Sequence, residues 1–291
     1  MTEAGPATLA FSTLACPEWD ADTVIRRAAE LRFDAVEWRG GPAGTVRTTW
    51  SPSRRSALRS RLSAAGIRSV AVTSYSELIS GDSSVRAASV EAIVRHADLA
   101  LDLGASSVRV FLGVADDDAP AAQLERRAID ALAEALARVD RAVTLAIEPH
   151  DHHVRSSSVL PILRALPTDG LGVVWDIANA WSAGEPPEDG LAAYAGRIAY
   201  VQIKDGTGRG ATWRLVEVGR GEVPLAAAIT SLHAAMRAGG RPLPPLSVEW
   251  ERAWHPELVP ADQALPAARR WLTDLFAGLD ENRLDRRGGT A

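Results

Sequence analysis

Short apolar runs alternate with stretches of helical periodicity along nearly the whole chain. "TLAFSTLA" (8–15) precedes a helical pattern that begins near Asp20–Ala21 and runs to Leu31. "DAVEWRG" (34–40) precedes one from Ser51 to about Ala65. "IRSVAVTSY" (67–75) leads to a long helix from Ser83 to Leu103, closed by Gly104, and "SSVRVFLG" (106–113) to an Ala/Leu/Arg-rich helix over 119–139. "VTLAIEPH" (143–150) leads to "SSSVLPILRAL" (156–166), whose serines are N-cap candidates. "LGVVWDIAN" (171–179) leads to a short helix near 187–195. "IAYVQIKD" (198–205) leads, after a loop, to "PLAAAITSLHAAMRAG" (224–239), and "PLSVEWE" (245–251) to "ALPAARRWLTDLFAGL" (264–279). The apolar runs are short, β-branched and almost unbroken, as parallel strands covered on both faces are. Eight such units without a composition break predict an α/β fold, a single (β/α)8 TIM barrel over 1–279, followed by a polar, frayed tail over 280–291. A doubly wound open sheet would carry a glycine-rich phosphate fingerprint after its first strand, and "LACPEWD" (14–20) has none.

Composition narrows the picture without changing it. The 291 residues are 46% hydrophobic and 24% charged, the balance of a soluble globular protein. There is no apolar run long enough for a membrane span and no basic-plus-apolar leader, so no membrane partner is expected. The single cysteine, Cys16, excludes an intrachain disulfide, fits a cytoplasmic location and reads as a small buried hydrophobe. Net charge is −5, and the densest basic segment, "RRSALRSRL" (54–62), reads as the solvated face of a helix, so no nucleic-acid partner is expected.

The chemistry concentrates at predicted strand ends. "AIEPHDHH" (146–153) packs a glutamate, an aspartate and three of six histidines into eight positions. Pro149 argues against a helix, so Glu148 ends a buried strand and the histidines follow on a loop. His150 lies on the same side as Glu148, and His152 and His153 are loop residues. In a barrel the reacting groups gather at the C-terminal ends of the strands. Those ends offer Glu37 and Arg39, Ser74 and Glu77, Arg109, Glu148 and His150, Asp176 and Asn179, Gln202, Lys204 and Asp205, and Glu249 and Glu251. An isolated carboxylate at the end of an apolar run costs several kcal/mol, on the order of the buried-charge penalty, unless it is paired or bound to a cation. Glu148, Asp176, Gln202 and Glu249 come from four consecutive strands and could ring one divalent cation with oxygen ligands. Ion pairing with Lys204, Arg109 and the histidines is the alternative. Trp38, Trp175 and Trp250 adjoin these residues and read either as core or as an aromatic pocket wall.

Taken together, "AIEPHD", "VVWDIANAWSAGE", "YVQIKDG" with "VGRGEVP" after it, and "LSVEWERAWHPEL" resemble the xylose isomerase-like TIM-barrel superfamily, and within it the sugar phosphate isomerases/epimerases. The resemblance runs from the first strand to the last helix. It implies one divalent metal held by Glu, Asp, His and Glu on strands five to eight, here Glu148, Asp176, Gln202 and Glu249. Two positions depart from the pattern: Gln202 stands where many members have histidine, and Asn179 stands where "DxxH" is common. The amide oxygen favours Mn²⁺ or Mg²⁺ as cofactor, with Co²⁺ or Zn²⁺ possible. The three-zinc site of the related nuclease endonuclease IV needs more histidines than these strand ends supply.

The resemblance further implies that Glu148 and Glu249 act as base and acid around an α-carbon. His150 is a catalytic candidate or supports a ligand from behind, and Lys204 is placed to polarise a carbonyl. Arg109 is a carboxylate or phosphate binder, with Glu37, Trp175 and Asn179 as further substrate-binding candidates. The expected substrate is a sugar, or a cyclic polyol or keto acid. A metal-dependent dehydratase is the second reading, because 3-dehydroshikimate dehydratases are similar in the Glu-x-His of strand five and the strand-seven lysine. Inosose dehydratase belongs to the same mechanistic class. A non-catalytic sugar-binding barrel is the third, motivated by Gln202 and Asn179. "AWHPEL" (253–258) could line the pocket or serve a homodimer.

Overall fold

Parallel strands and the helices between them follow the chain order that the sequence predicts. The computed structural model describes residues 7–288, with side chains to Leu279. The first half runs β1 (Leu9–Ser12), α1 (Ala21–Glu30), β2 (Ala35–Arg39), α2 (Pro52–Ala64), β3 (Arg68–Thr73), α3 (Ser83–Leu103), β4 (Ser107–Val110) and α4 (Ala121–Arg138). The second runs β5 (Thr144–Ile147), α5 (Ser156–Ala165), β6 (Leu171–Asp176), α6 (Ile177–Ser182), α7 (Pro187–Tyr194), β7 (Ile198–Ile203), β8 (Asp205–Thr207), β9 (Arg214–Val216), α8 (Leu225–Ala238), β10 (Leu246–Val248) and α9 (Ala261–Gly288). Eight strands close in the order β1-β10-β7-β6-β5-β4-β3-β2, and β8 and β9 form a separate antiparallel hairpin above them.

Local signals set most boundaries. Asp20 and Ser51 accept the N–H of Thr23 and Arg54 at the starts of α1 and α2, each a cap of about 1 kcal/mol. Gly104, at φ 71°, supplies the left-handed residue that ends α3. The serines of α5 do not cap it: the Ser156 backbone N–H and hydroxyl both donate to Glu185 Oε2 (2.8 and 2.9 Å), so a carboxylate from the next βα loop caps the helix. The sequence reading also missed α6 and the β8–β9 hairpin. In addition, α9 continues to Gly288, so a helical backbone runs through most of the segment expected to fray.

Strand alternation divides the interior into two parts. Small residues fill the barrel itself, where Ala10, Ala35, Ala71, Ala146 and Val174 pack around Tyr200. The larger core lies between the strands and the surrounding helices, and includes Phe11, Trp38, Val108, Ile147, Trp175 and Ile203. Small side chains in the barrel leave its C-terminal end open to charged ones.

Candidate active site

At that end, Glu148 and Glu249 each stand one residue past their strand, while Asp176 is the last residue of β6. Asp176 also begins α6: its Oδ1 accepts the Asn179 N–H (2.9 Å), which fixes the side chain and leaves Oδ2 facing the site. Glu148, Asp176 and Glu249 are buried, and each offers an oxygen within 4.8 Å of the others. Two buried cations hold them together. Arg109 Nη1 lies 2.9 Å from Glu148 Oε2 and 3.6 Å from Glu249 Oε1. Lys204 Nζ lies 2.9 Å from both Asp176 Oδ2 and Glu249 Oε2, and it donates to Glu251 Oε1.

Of the two readings of these carboxylates, ion pairing is therefore present, but it is incomplete. Four carboxylates (Glu148, Asp176, Glu249 and Glu251) surround two cations, and a fifth, Glu37, lies buried beneath them. Burial pushes the Glu148 carboxyl up against the opposing pull of Arg109, and it pushes Glu249 well above the carboxylate range despite Lys204. Burial disfavours the Lys204 ammonium, but Asp176, Glu249 and Glu251 outweigh it and keep the lysine charged. Glu251, also penalised by burial, is held below its usual value by Lys204. The cluster is short of positive charge. Glu148 Oε2 and Asp176 Oδ2 approach their cations without hydrogen-bond alignment, and Gln202 Oε1 has no partner at all. Three buried oxygens lacking hydrogen bonds, among carboxylates this close, fit a hard divalent cation. Asn179, half-buried, donates from Nδ2 to Glu148 Oε1 (3.2 Å).

Several of the residues singled out in the sequence sit elsewhere than expected. Trp175 is not a pocket wall. It is one residue from inward-facing Asp176, so it faces the helices, where a Cβ on Gly190 would lie 2.8 Å from its Nε1. Trp38 and Trp250 do the same beside Glu37 and Glu249, donating to Ser69 Oγ (3.0 Å) and the Val259 carbonyl (2.9 Å). Glu37 is not open to a substrate: it is fully enclosed beneath the site and accepts from Tyr200 Oη (2.9 Å), Gln202 Nε2 (3.0 Å) and Ser247 Oγ (2.6 Å). His153 turns into the protein from a 3₁₀ turn over 151–153, whereas His152 is exposed. His150 stands half-exposed at the mouth, its ring tilted at 40° to that of Phe111 at 4.8 Å, with Nδ1 2.9 Å from Asp151 Oδ2. Asp205 accepts the backbone N–H groups of Gly206, Gly219, Gly221 and Val223, tying down the "VGRGEVP" loop. A Cβ on Gly221 would lie 2.0 Å from Asp205 Oδ1, so this loop requires glycine there.

The opposite lip was not read as a unit from the sequence. Arg109 lies over Phe111 (4.3 Å) and Tyr75 (5.3 Å), and Arg39 lies over Trp254 (4.4 Å), which meets Tyr75 edge-on at 6.2 Å. The same parity would have found part of it, since Phe111 is two residues past Arg109. "AWHPEL" thus lies beside the mouth.

Comparison with known proteins agrees with the fold. The family described as xylose isomerase-like TIM barrel matches residues 25–275. No curated protein matches the sequence. Among solved structures, L-ribulose 3-epimerase superposes with a TM-score of 0.75 at 20% identity, covering 98% of this chain and 99% of that one. The IOLI protein with a binding zinc atom has a TM-score of 0.75 at 17% identity, covering 92% and 97%. The probable 3-DHS dehydratase AsbF, involved in petrobactin synthesis in Bacillus anthracis, has 0.70 at 15% identity, covering 91% and 98%. At these identities the likeness is one of fold. No helix among the described residues is long and apolar enough to cross a membrane.

Proposed function

The chain belongs to the xylose isomerase-like TIM-barrel family, and from that premise we propose that it is a divalent-metal-dependent isomerase or epimerase acting on a sugar or sugar phosphate. The observation that carries this reading is the placement of Glu148 and Glu249, both buried, on either side of one point at the barrel mouth with Asp176 and Lys204 beside them. Glu148, Asp176, Gln202 and Glu249 are the residues that would hold the cation. Their all-oxygen donor set favours Mn²⁺ or Mg²⁺, with Co²⁺ or Zn²⁺ able to substitute. When bound, the cation supplies Lewis-acid stabilisation of an oxyanion next to the reacting carbon.

The protein's own groups do the rest. One glutamate takes the proton from the carbon α to the carbonyl, and the electron pair passes into an enediolate. In an epimerase the other glutamate returns a proton to the opposite face, whereas in an isomerase the proton returns to the neighbouring carbon. Lys204 places a positive charge where the enediolate oxygen develops. Asn179, bonded to Glu148, orients that carboxylate, and His150 at the mouth is placed to relay protons with solvent.

A dehydratase acting on a cyclic hydroxy-keto acid is the second reading, and one observation favours it. Arg109 is only 2% exposed, yet its Nε and Nη2 have no hydrogen-bond partner. Such an edge suits a carboxylate bound in bidentate fashion. In that case loss of a β-hydroxyl as water follows the same proton removal.

The test is NMR in D₂O with Mg²⁺-loaded protein against ketoses, ketose phosphates, inosose and 3-dehydroshikimate, with Glu148→Gln as control. Deuterium entering a carbon without loss of water supports the isomerase/epimerase. A dehydrated product supports the second reading. Tight sugar binding without turnover at any metal load would leave only the non-catalytic barrel.

A further inference from the structure

Glu37 is a fully buried carboxylate that makes no ion pair within 4 Å among the described residues, and nothing in the proposed reaction uses it. It sits on β2, across the barrel from β7 and β10. Its two oxygens accept from three side chains, Tyr200 and Gln202 on β7 and Ser247 on β10. Burial pushes its carboxyl above the usual range, so the site retains this group at an energetic cost.

The contact to Gln202 shows what that cost secures. The Gln202 side chain ends between two carboxylate oxygens, Glu37 Oε1 at 3.0 Å and Glu249 Oε1 at 2.8 Å. Facing two carboxylate oxygens, the NH₂ donates one hydrogen to each, whereas the amide oxygen would need a proton on both of them to be satisfied. With the nitrogen held by its two hydrogens, the oxygen is turned away from Glu37 and is left buried without a partner. Tyr200 and Ser247 are hydroxyls and could donate to many acceptors. Gln202 is the one neighbour whose chemistry depends on which way it is turned.

We propose that Glu37 is a positioning residue that fixes the orientation of the Gln202 amide, so that its oxygen is presented as a cation ligand. This inference rests on the metal-dependent reading above. It also accounts for the glutamine on β7. An amide has one good donor atom and can turn it either way, and a carboxylate beneath it removes that ambiguity. A carboxylate behind a metal-bound imidazole does the same for the ring.

Binding of Mn²⁺, followed by the electron paramagnetic resonance of the free ion and by calorimetry, tests the proposal on wild type, Glu37→Gln, Gln202→Ala and the double variant. Loss of a partner behind a ligand weakens metal affinity roughly 10- to 100-fold, and Glu37→Gln is expected to fall in that range. The double variant is expected to bind no worse than Gln202→Ala, because Glu37 acts through the amide. Unchanged affinity in Glu37→Gln, even with a lowered Tm, would reduce Glu37 to a packing role and overturn the inference. So would additive losses in the double variant. Should Glu37→Gln not fold, a crystal structure of the Mn²⁺-loaded wild type decides the matter. Gln202 Nε2 remains within hydrogen-bond distance of Glu37 if the proposal holds, and a turned amide sinks it. Failure of wild type to bind Mn²⁺ overturns the metal-dependent reading together with this one, an outcome distinct from wild-type binding with Glu37→Gln unchanged.

Discussion

The two sides of the barrel mouth are built on different principles. On one side, β5, β6, β7 and β10 bring Glu148, Asp176, Gln202, Lys204 and Glu249 into a buried, charge-dense cluster held by ion pairs and hydrogen bonds. On the other, β2, β3 and β4 lead into Arg39, Tyr75, Arg109 and Phe111, with Trp254 leaning in from the segment after β10. Tyr75 is 41% exposed and Trp254 51%, so this lip meets solvent where the acidic side does not. Buried charges are costly, and a protein that keeps several of them at one point has a use for their reactivity. Aromatic faces under guanidinium groups cost little and offer shape. The acidic side therefore suits proton transfer, and the lip suits holding the substrate.

Substitutions on the acidic side should have the largest effects. Glu148→Gln or Glu249→Gln is isosteric, and each is expected to lower kcat by on the order of 10²- to 10⁴-fold. A loss confined to KM would contradict the division drawn here. Arg109 is the point where the two sides touch, and in the metal-free protein its removal strands the Glu148 charge. Arg109→Met should cost about 3–5 kcal/mol in urea unfolding, the penalty for breaking a buried pair from one side. The double variant Arg109→Met/Glu148→Gln should recover much of that loss, because the stranded charge is gone. Equal losses in the single and double variants would mean that Arg109 acts through packing alone.

Effects on the lip should be smaller and of another kind. Trp254→Ala removes the ring under Arg39, a contact worth about 0.5–1 kcal/mol at an exposed position, so KM should rise only a few-fold with kcat retained. A fall in kcat as large as that of Glu148→Gln would erase the distinction. The smallest effect concerns the support of Arg39. The next residue, Gly40, has the His96 ring against it, and a Cβ there would lie 2.7 Å from His96 Cδ2. Burial holds the His96 imidazole below its ordinary value. Its contribution to stability is thus complete above the unfolded value of about 6.5, and it declines as pH falls below that toward the folded value. Urea midpoints between neutral pH and mild acid should drop more steeply for wild type than for His96→Leu.

Much of this was legible in the sequence. The eight βα units follow from apolar runs and caps, and Ser83–Leu103 with Gly104 after it lies where periodicity sets it. Glu148, Asp176 and Glu249 stand out as carboxylates that end apolar runs, and their convergence follows once the sheet closes. What was missed depends on parity or on distance along the chain. Trp175 is adjacent to Asp176, and adjacent residues on a strand face opposite ways, so it could not share the pocket. Glu37 lies on the same side as the site, but its depth depends on small residues, such as Ala35 and Ala146, that let the barrel pack closely around it. The capping of α5 by Glu185, 29 residues beyond Ser156, has no local signature.

That same parity has an optical consequence. Trp38, Trp175 and Trp250 stand back to back with Glu37, Asp176 and Glu249, each separated from its carboxylate by a single peptide step. All three are shielded from solvent and out of reach of any molecule in the mouth. An indole's emission energy responds to the electric field across its ring, and the fields here originate in charges on the other face of the same strand. The barrel thus carries intrinsic fluorophores behind these carboxylates. They can register a change of charge in the site without a label and without touching what binds there.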